Sequence, residues 1–321
     1  MDTPVVAPPP APAPDFLIPR KRSWGKAIAL SVLVILLAVI AAAGYWYSKS
    51  SYAAFLNVSY LSGPFETRTL HQFGFATSKP NSLPVPGHIV DYARTGGTEV
   101  ALSIQSNAFE TIYKIQNGTS KTVVSDTSIK SSIAVSSDGS LIAYASRATA
   151  ATTTNPKNFY DPNSWNIQLI KNSDAPKLIG TGYGPQFFAR DGQSYLMYAT
   201  EKGIHLVNLA TNTYQDIPVS FGTPTASHVA VISSDGRYLL LPDVATGYAL
   251  YSLTYTGTLA TISPVGPLPL PTDVAAFKGD IIVSVSHDAT NLLFRTSTVQ
   301  NPTTILKTRT ESSDIIFKLI P

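Results

Sequence analysis

The side chains that could do chemistry in this chain are few, and their spacing narrows what they can do. Five histidines occur, at His71, His88, His205, His228 and His287. None forms a His-x-x-x-His or His-Glu pair, the spacings that bring two imidazoles to one metal or a base beside one. His205 alternates with Ile204 and Leu206, as a residue on one face of a strand does. Three aspartates recur in Asp-Gly pairs, at Asp138-Gly139, Asp191-Gly192 and Asp235-Gly236. A ring of carboxylates can be imagined from them, but Asp in such a dipeptide normally caps the backbone of its own turn, so these residues are read as structural. The chain has no Gly-x-Ser-x-Gly nucleophile elbow and no Asp-x-Asn-x-Asp-Gly calcium loop. It has no cysteine either, hence no thiolate metal site and no disulfide framework. No catalytic residue, cofactor or metal site is assigned.

The elements around the aspartates are more informative. Each Asp-Gly pair lies between two alternating apolar runs, in Ile133–Tyr144, Phe187–Tyr198 and Val229–Leu241. That is a hairpin signature, because Gly takes the positive φ of a tight turn. Weaker copies surround Gly96-Gly97 and Gly279-Asp280. The turns recur roughly every 40 to 50 residues, the interval of one four-stranded propeller blade. Five units follow, at Ile89–Val124, Ser131–Ile179, Gly184–Ile217, Ser227–Ile262 and Thr272–Lys307. Apolar strands are left over at both ends, at Ala54–Leu70 and Asp314–Ile320, and pairing them closes the ring and removes its open edges. The expected fold is all-β, a propeller of six blades with four antiparallel strands each. A seventh blade would have to come from Ser78–Gly87, a loop whose Pro80, Pro84 and Pro86 make poor strand material. In Asp314–Ile320, Ile315, Phe317 and Leu319 define one apolar face and Ile316, Lys318 and Ile320 a mixed one.

Ser136-Ser-Asp-Gly-Ser-Leu-Ile-Ala-Tyr144 resembles the S-P-D-G-x-x-[LI]-A-[FY] blade signature of the TolB-like, WD40-like bacterial propellers. Ser137, Arg190 and Ser234 stand where the signature has proline. The resemblance implies an extracytoplasmic propeller, usually six-bladed, of a kind that often serves as a protein-docking platform. The motif sets a turn and carries no chemistry with it.

The beginning of the chain has a different character. Residues 1–26 are expected to form a Pro-rich cytoplasmic tail ending in the basic cluster Arg20, Lys21, Arg22 and Lys26. Residues 27–47 carry no charge and suffice to cross ~30 Å of hydrocarbon as a helix, with Trp24 at one interface and Tyr45, Trp46 and Tyr47 at the other. Cationic residues before the helix orient the tail to the cytoplasm and residues 48–321 to the periplasm or the exterior. An uncleaved signal anchor is favoured, with cleavage after Ala43 the rival reading. The formal net charge of +3 reflects that cluster, and the chain beyond it has no basic face for nucleic acid.

One repeat is irregular. Its second and third strands are separated by Arg147–Ser164, where Phe159, Tyr160 and the adjoining Trp165 form a candidate partner-binding loop. A tolerated surface insertion is the simpler alternative. The favoured function is a membrane-anchored interaction or scaffolding module, with the membrane and unidentified envelope or extracellular proteins as partners. The alternative is an enzyme or small-ligand sensor that uses the propeller's central cavity, marked by ionisable side chains converging on the axis.

Overall fold

The computed structural model describes residues 24–49, 55, 57–64, 68–73, 78–105, 110–148, 161–172, 174–219, 229–243, 245, 247–257, 259–269, 271–288, 290–312 and 315–321. The chain divides into two compact units, Met1–Lys49 and Ser50–Pro321. In the first, helix α1 spans Trp24–Lys49. Its segment Ile28–Trp46 has a mean hydropathy of 2.7 and exposed side chains throughout, and is long and apolar enough to cross a membrane. The Pro-rich segment and Arg20–Arg22 lie outside the described residues.

The second unit is a ring of six four-stranded antiparallel sheets. Strands β1 (Ser59–Ser62), β2 (Thr69–Phe73) and β3 (Ser78–Pro80) begin it. The first blade is β4 (His88–Thr95), β5 (Thr98–Ile104), β6 (Glu110–Gln116) and β7 (Thr119–Ser125). The second is β8 (Ile129–Val135), β9 (Leu141–Arg147), β10 (Asn166–Lys171) and β11 (Lys177–Thr181). The third is β12 (Tyr183–Arg190), β13 (Gln193–Thr200), β14 (Gly203–Asn208) and β15 (Thr213–Pro218). The fourth is β16 (Val231–Ile232), β17 (Tyr238–Asp243), β18 (Gly247–Thr256) and β19 (Leu259–Pro267). The fifth is β20 (Val274–Lys278), β21 (Ile281–Asp288), β22 (Asn291–Thr298) and β23 (Lys307–Ser312). Strand β24 (Ile316–Ile320) returns to pair with β1, so the closing blade reads β24-β1-β2-β3.

Closure by both ends of the ring-forming unit is thus as expected, with two corrections. Ser78–Pro80 is a strand, not part of a loop. Pro80 pairs with His71 on the outermost strand of its sheet, where a missing N–H leaves no rung unmade. The simple alternation foreseen for Asp314–Ile320 also fails. Ile315 is 51% exposed, and the β1–β24 register shifts between Leu61 and Ser62, so that Leu61 faces Lys318 while Ser62 faces Ile316. That bulge lets Ile316 and Leu319 pack on one side of the blade and Phe317 and Ile320 on the other.

Apolar side chains fill each junction between neighbouring blades. Leu102 and Ile112 meet Ile142 and Tyr144 between the first and second blades, and Leu239 and Leu241 meet Met197 and Leu206 between the third and fourth. Both faces of a middle strand are therefore covered, which is why β9 reads Leu-Ile-Ala-Tyr-Ala-Ser and is almost continuously buried. Each large side chain so enclosed contributes roughly 1.5–3 kcal/mol.

Candidate functional site

The inner strands β4, β8, β12, β16, β20 and β24 wall an axial cavity of about 310 Å³. Much of the wall is apolar, as at Ile133, Phe188, Val231, Val274 and Leu319. Its described residues include two basic side chains, Arg94 and Lys318, and no Asp, Glu or His.

Backbone irregularities position the polar groups on this wall. Bulges interrupt β4 between Ile89 and Asp91, β8 between Ser131 and Ala134, and β12 between Tyr183 and Gln186. A bulge leaves one or two residues out of the ladder and frees their backbone groups for other partners. In β8 the freed residues are Ser132 and Ile133. Ser132 holds φ at +50°, a conformation that side chains other than Gly, Asn and Asp seldom adopt.

Asp91, only 2% exposed, lies behind the wall and uses both carboxylate oxygens. One oxygen accepts the Ile133 N–H at 2.7 Å. The other accepts the Tyr92 N–H at 2.7 Å and the Lys318 ammonium at 2.8 Å. Lys318 also donates to the Ile133 carbonyl at 3.1 Å. Side chains and freed backbone thus tie the closing, first and second blades together at the axis. The third and fourth blades are joined by a neutral equivalent. The Gln186 amide donates to the Ala230 carbonyl and accepts the Ile232 N–H at 3.1 Å. Gln215 repeats this at the outer rim, donating to Ala260 O at 2.7 Å and accepting Ala260 N–H at 2.6 Å.

The Asp-Gly turns are of two kinds. At Asp138 the carboxylate accepts the Ser136 hydroxyl at 2.5 Å, the Ser140 N–H at 3.0 Å and the Ser140 hydroxyl at 2.8 Å. Those donors, Ser136 foremost, hold its pKa down at about 2. Asp235 is capped similarly by Ser233 at 2.7 Å and the Arg237 N–H at 3.1 Å. Partial burial opposes its ionisation, but the donated hydrogen bonds prevail and its pKa is lowered. Gly139 cannot be replaced by a larger residue, since its φ is +71° and a Cβ would run into the Thr98 side chain of the first blade. The expectation that the third copy has the same form is corrected. Asp191 and Gly192 are the two central residues of a tight hairpin, at φ +51° and +75°, and Arg190 pairs with Gln193. Asp191 meets Arg190 at 3.1 Å. The difference is the serine two residues ahead of Asp138 and Asp235, which is Ala189 in the third copy.

The described histidines form no cluster. His205 is on a strand face and meets the Asp216 carboxylate at 2.6 Å, with its ring stacked near Tyr214. His71 stacks on Tyr60, His287 is exposed at the end of β21, and His228 lies outside the described residues. Among the described residues no three His, Cys, Asp or Glu side chains are grouped to hold a metal ion.

The irregular loop is described only at its two ends, residues 147–148 and 161–164. Phe159 and Tyr160 lie outside the described residues. Asp161 caps a 3-10 turn at Pro162–Ser164, accepting the Asn163 N–H at 3.0 Å. Trp165, expected to offer contact surface, is 1% exposed and packs against Tyr183 and the Arg147 guanidinium. Its indole anchors the loop to the core, because it stands between the 3-10 turn and β10 and packs at the junction with the third blade.

Asp91, Lys318, Gln186 and Ser132 were not singled out from the sequence. A usable signal exists for two of them: a lone acid in Ile89-Val-Asp-Tyr92 and a lone base in Ile315-Ile-Phe-Lys-Leu-Ile320, each inside an apolar strand.

The site thus belongs to a closed, six-bladed propeller whose inner wall is polar only at a few fixed points. Among solved structures the fold is that of TolB from Acinetobacter baumannii, with a TM-score of 0.56 at 13% identity over 82% of this chain. The chain spans 65% of the length of that protein. A structure described as a TolB from Agrobacterium tumefaciens matches with a TM-score of 0.47 at 11% identity, over 81% of this chain and 92% of its own. An oligogalacturonate lyase in complex with manganese matches with a TM-score of 0.49 at 11% identity, over 74% of this chain and 69% of its own. No protein-family model matches the chain. No curated protein matches it either.

Proposed function

We propose that this protein is a membrane-anchored, extracytoplasmic propeller that serves protein partners of the cell envelope as an interaction or scaffolding module. The observation that carries the reading is helix α1, whose span Ile28–Trp46 has a mean hydropathy of 2.7 and precedes a complete ring in sequence. Arg20, Lys21, Arg22 and Lys26 before the apolar run favour a cytoplasmic N-terminus, with residues 48–321 on the far side of the membrane. The fold shared with a TolB structure supports a docking role. Phe159 and Tyr160 remain part of the proposed partner-binding surface.

The test is protease added to cells with the outer envelope opened. The propeller is expected to be accessible and an epitope in the Pro-rich tail protected. A tail cut while the propeller survives in intact membranes reverses the orientation and removes the proposal. Release of the propeller as a soluble species with a new N-terminus at Gly44 replaces the anchor by a cleaved signal.

A further inference from the structure

The axial cavity has a chemical bias that the docking role does not use. Its volume of about 310 Å³ falls in the range of small-molecule sites, and its wall is apolar with a few fixed polar groups. Its charged side chains are unbalanced: the described wall offers Lys318 and Arg94 and no Asp or Glu, while the Pro321 α-carboxylate also borders it. The neighbouring side-chain carboxylates already have partners. Both oxygens of Asp91 are occupied, Asp138 is capped by Ser136 and Ser140, and Asp191 meets Arg190. Asp235 meets the Arg237 Nε and Asp280 its Nη2, the latter at 3.6 Å. Arg94 donates to the Asn57 carbonyl at 2.7 Å and stands opposite Glu99 in the β4–β5 ladder.

Lys318 is the group presented to the cavity. Two of its three N–H bonds go to Asp91 and Ile133, and its side chain is 29% exposed. Its position is built, since two bulges and the strained backbone of Ser132 aim the Ile133 carbonyl and the ammonium at each other. Ser132 also lines the cavity beside it.

We propose that the axial cavity binds a small amphiphilic carboxylate, its apolar body against the wall of Val231, Val274 and Phe188 and its head on the Lys318 ammonium. The apolar body is chosen by the wall, and the acceptor head by the Lys318 N–H that neither Asp91 nor Ile133 takes up. One charge-assisted hydrogen bond should favour the acid over its amide by roughly tenfold or more. This assignment is independent of which side of the membrane the propeller occupies.

The experiment uses the full chain in lipid nanodiscs, with empty nanodiscs subtracted, and 4-phenylbutyrate and 4-phenylbutanamide as probes with one common body. Saturation-transfer NMR and calorimetry are expected to show binding of the acid, with the amide at least about tenfold weaker. Lys318→Met should erase that preference. Because it leaves Asp91 buried without its cation, the double variant Asp91→Asn/Lys318→Met, which removes both charges, is measured beside it, with melting curves to establish folding. Failure of the acid to bind the parent protein overturns the proposal. Equal binding of acid and amide, or a preference that survives in the folded double variant, overturns the role of Lys318.

Discussion

The two flanks of the closing blade are held by different means. Toward the fifth blade, twelve buried apolar residues pack together among the described residues, with Phe294 in ring contact with Phe55, Tyr60 and Phe73. Toward the first blade the buried apolar cluster has six members among the described residues, and Asp91 and Lys318 meet beside it. One flank is secured by area. The other is secured by a few directional bonds that also reach the second blade through Ile133. Apolar packing tolerates small sliding, whereas a carboxylate shared between two N–H groups and an ammonium does not. The polar flank sets the register of closure, and the apolar flank supplies most of its free energy.

The largest predicted effect comes from removing both flanks at once. Deleting Ile316–Pro321 bares the edge of β1 and takes Ile316, Leu319 and Ile320 out of the core. A loss of roughly 5 kcal/mol or more is expected, read as a lower denaturation midpoint and a rise in aggregation. An unchanged midpoint would mean that β24 does not close the ring.

Next, the flanks are separated. Phe294→Ala should cost about 3–5 kcal/mol, as for other fully buried aromatic residues. Lys318→Met should cost about 3 kcal/mol, because Asp91 is left buried with its charge unopposed. Asp91→Asn/Lys318→Met should recover most of that loss. If the double variant is as unstable as the single one, the ion pair does more than cancel its own desolvation. Equilibrium denaturation of the four proteins distinguishes these outcomes.

The smallest effect carries the contrast between area and direction down to single turns. Asp138→Ala removes a cap with three donors, while Asp191→Asn, which keeps a residue tolerant of the positive φ there, removes only a charged contact with Arg190. About 1 kcal/mol is expected for the first and within about 0.5 kcal/mol for the second. The folded pKa of Asp138 lies near 2, below the ordinary value of 3.8. Its contribution is therefore complete above about pH 4 and is lost as pH falls from there toward 2. Solvent screening at this exposed site keeps that contribution below about 1 kcal/mol. Acid titration of stability should show this step in the parent and not in Asp138→Ala.

The ring was legible because its signals are local. An Asp-Gly pair between alternating apolar runs specifies a hairpin, and Ile-Ile-Phe followed by Leu-Ile has no reason to exist in a solvated tail. What escaped depends on neighbours distant in the chain. Nothing near Ser132 announces that Ile133 must leave its ladder, because its partners are Asp91 and Lys318. Pro80 reads as a breaker until its strand is known to be outermost in its sheet. Trp165 looks like loop surface until Tyr183 is set against it. The serine that separates the capped turns from the Asp191 hairpin was in plain view, but its weight emerged only with the hydrogen bonds it makes.

The pairing of β24 with β1 also has a consequence in time. Its partners lie about 250 residues apart, so at ~5–20 residues per second a ribosome needs roughly 10–50 s to deliver the second after the first. During that interval five blades can stack in order as they emerge, while β1 waits with an unpaired edge and the rings of Phe55 and Tyr60 half covered. A nascent chain of this protein therefore spends longest in the state most prone to pair with another copy, and its demand on chaperones should peak just before the last strand is made.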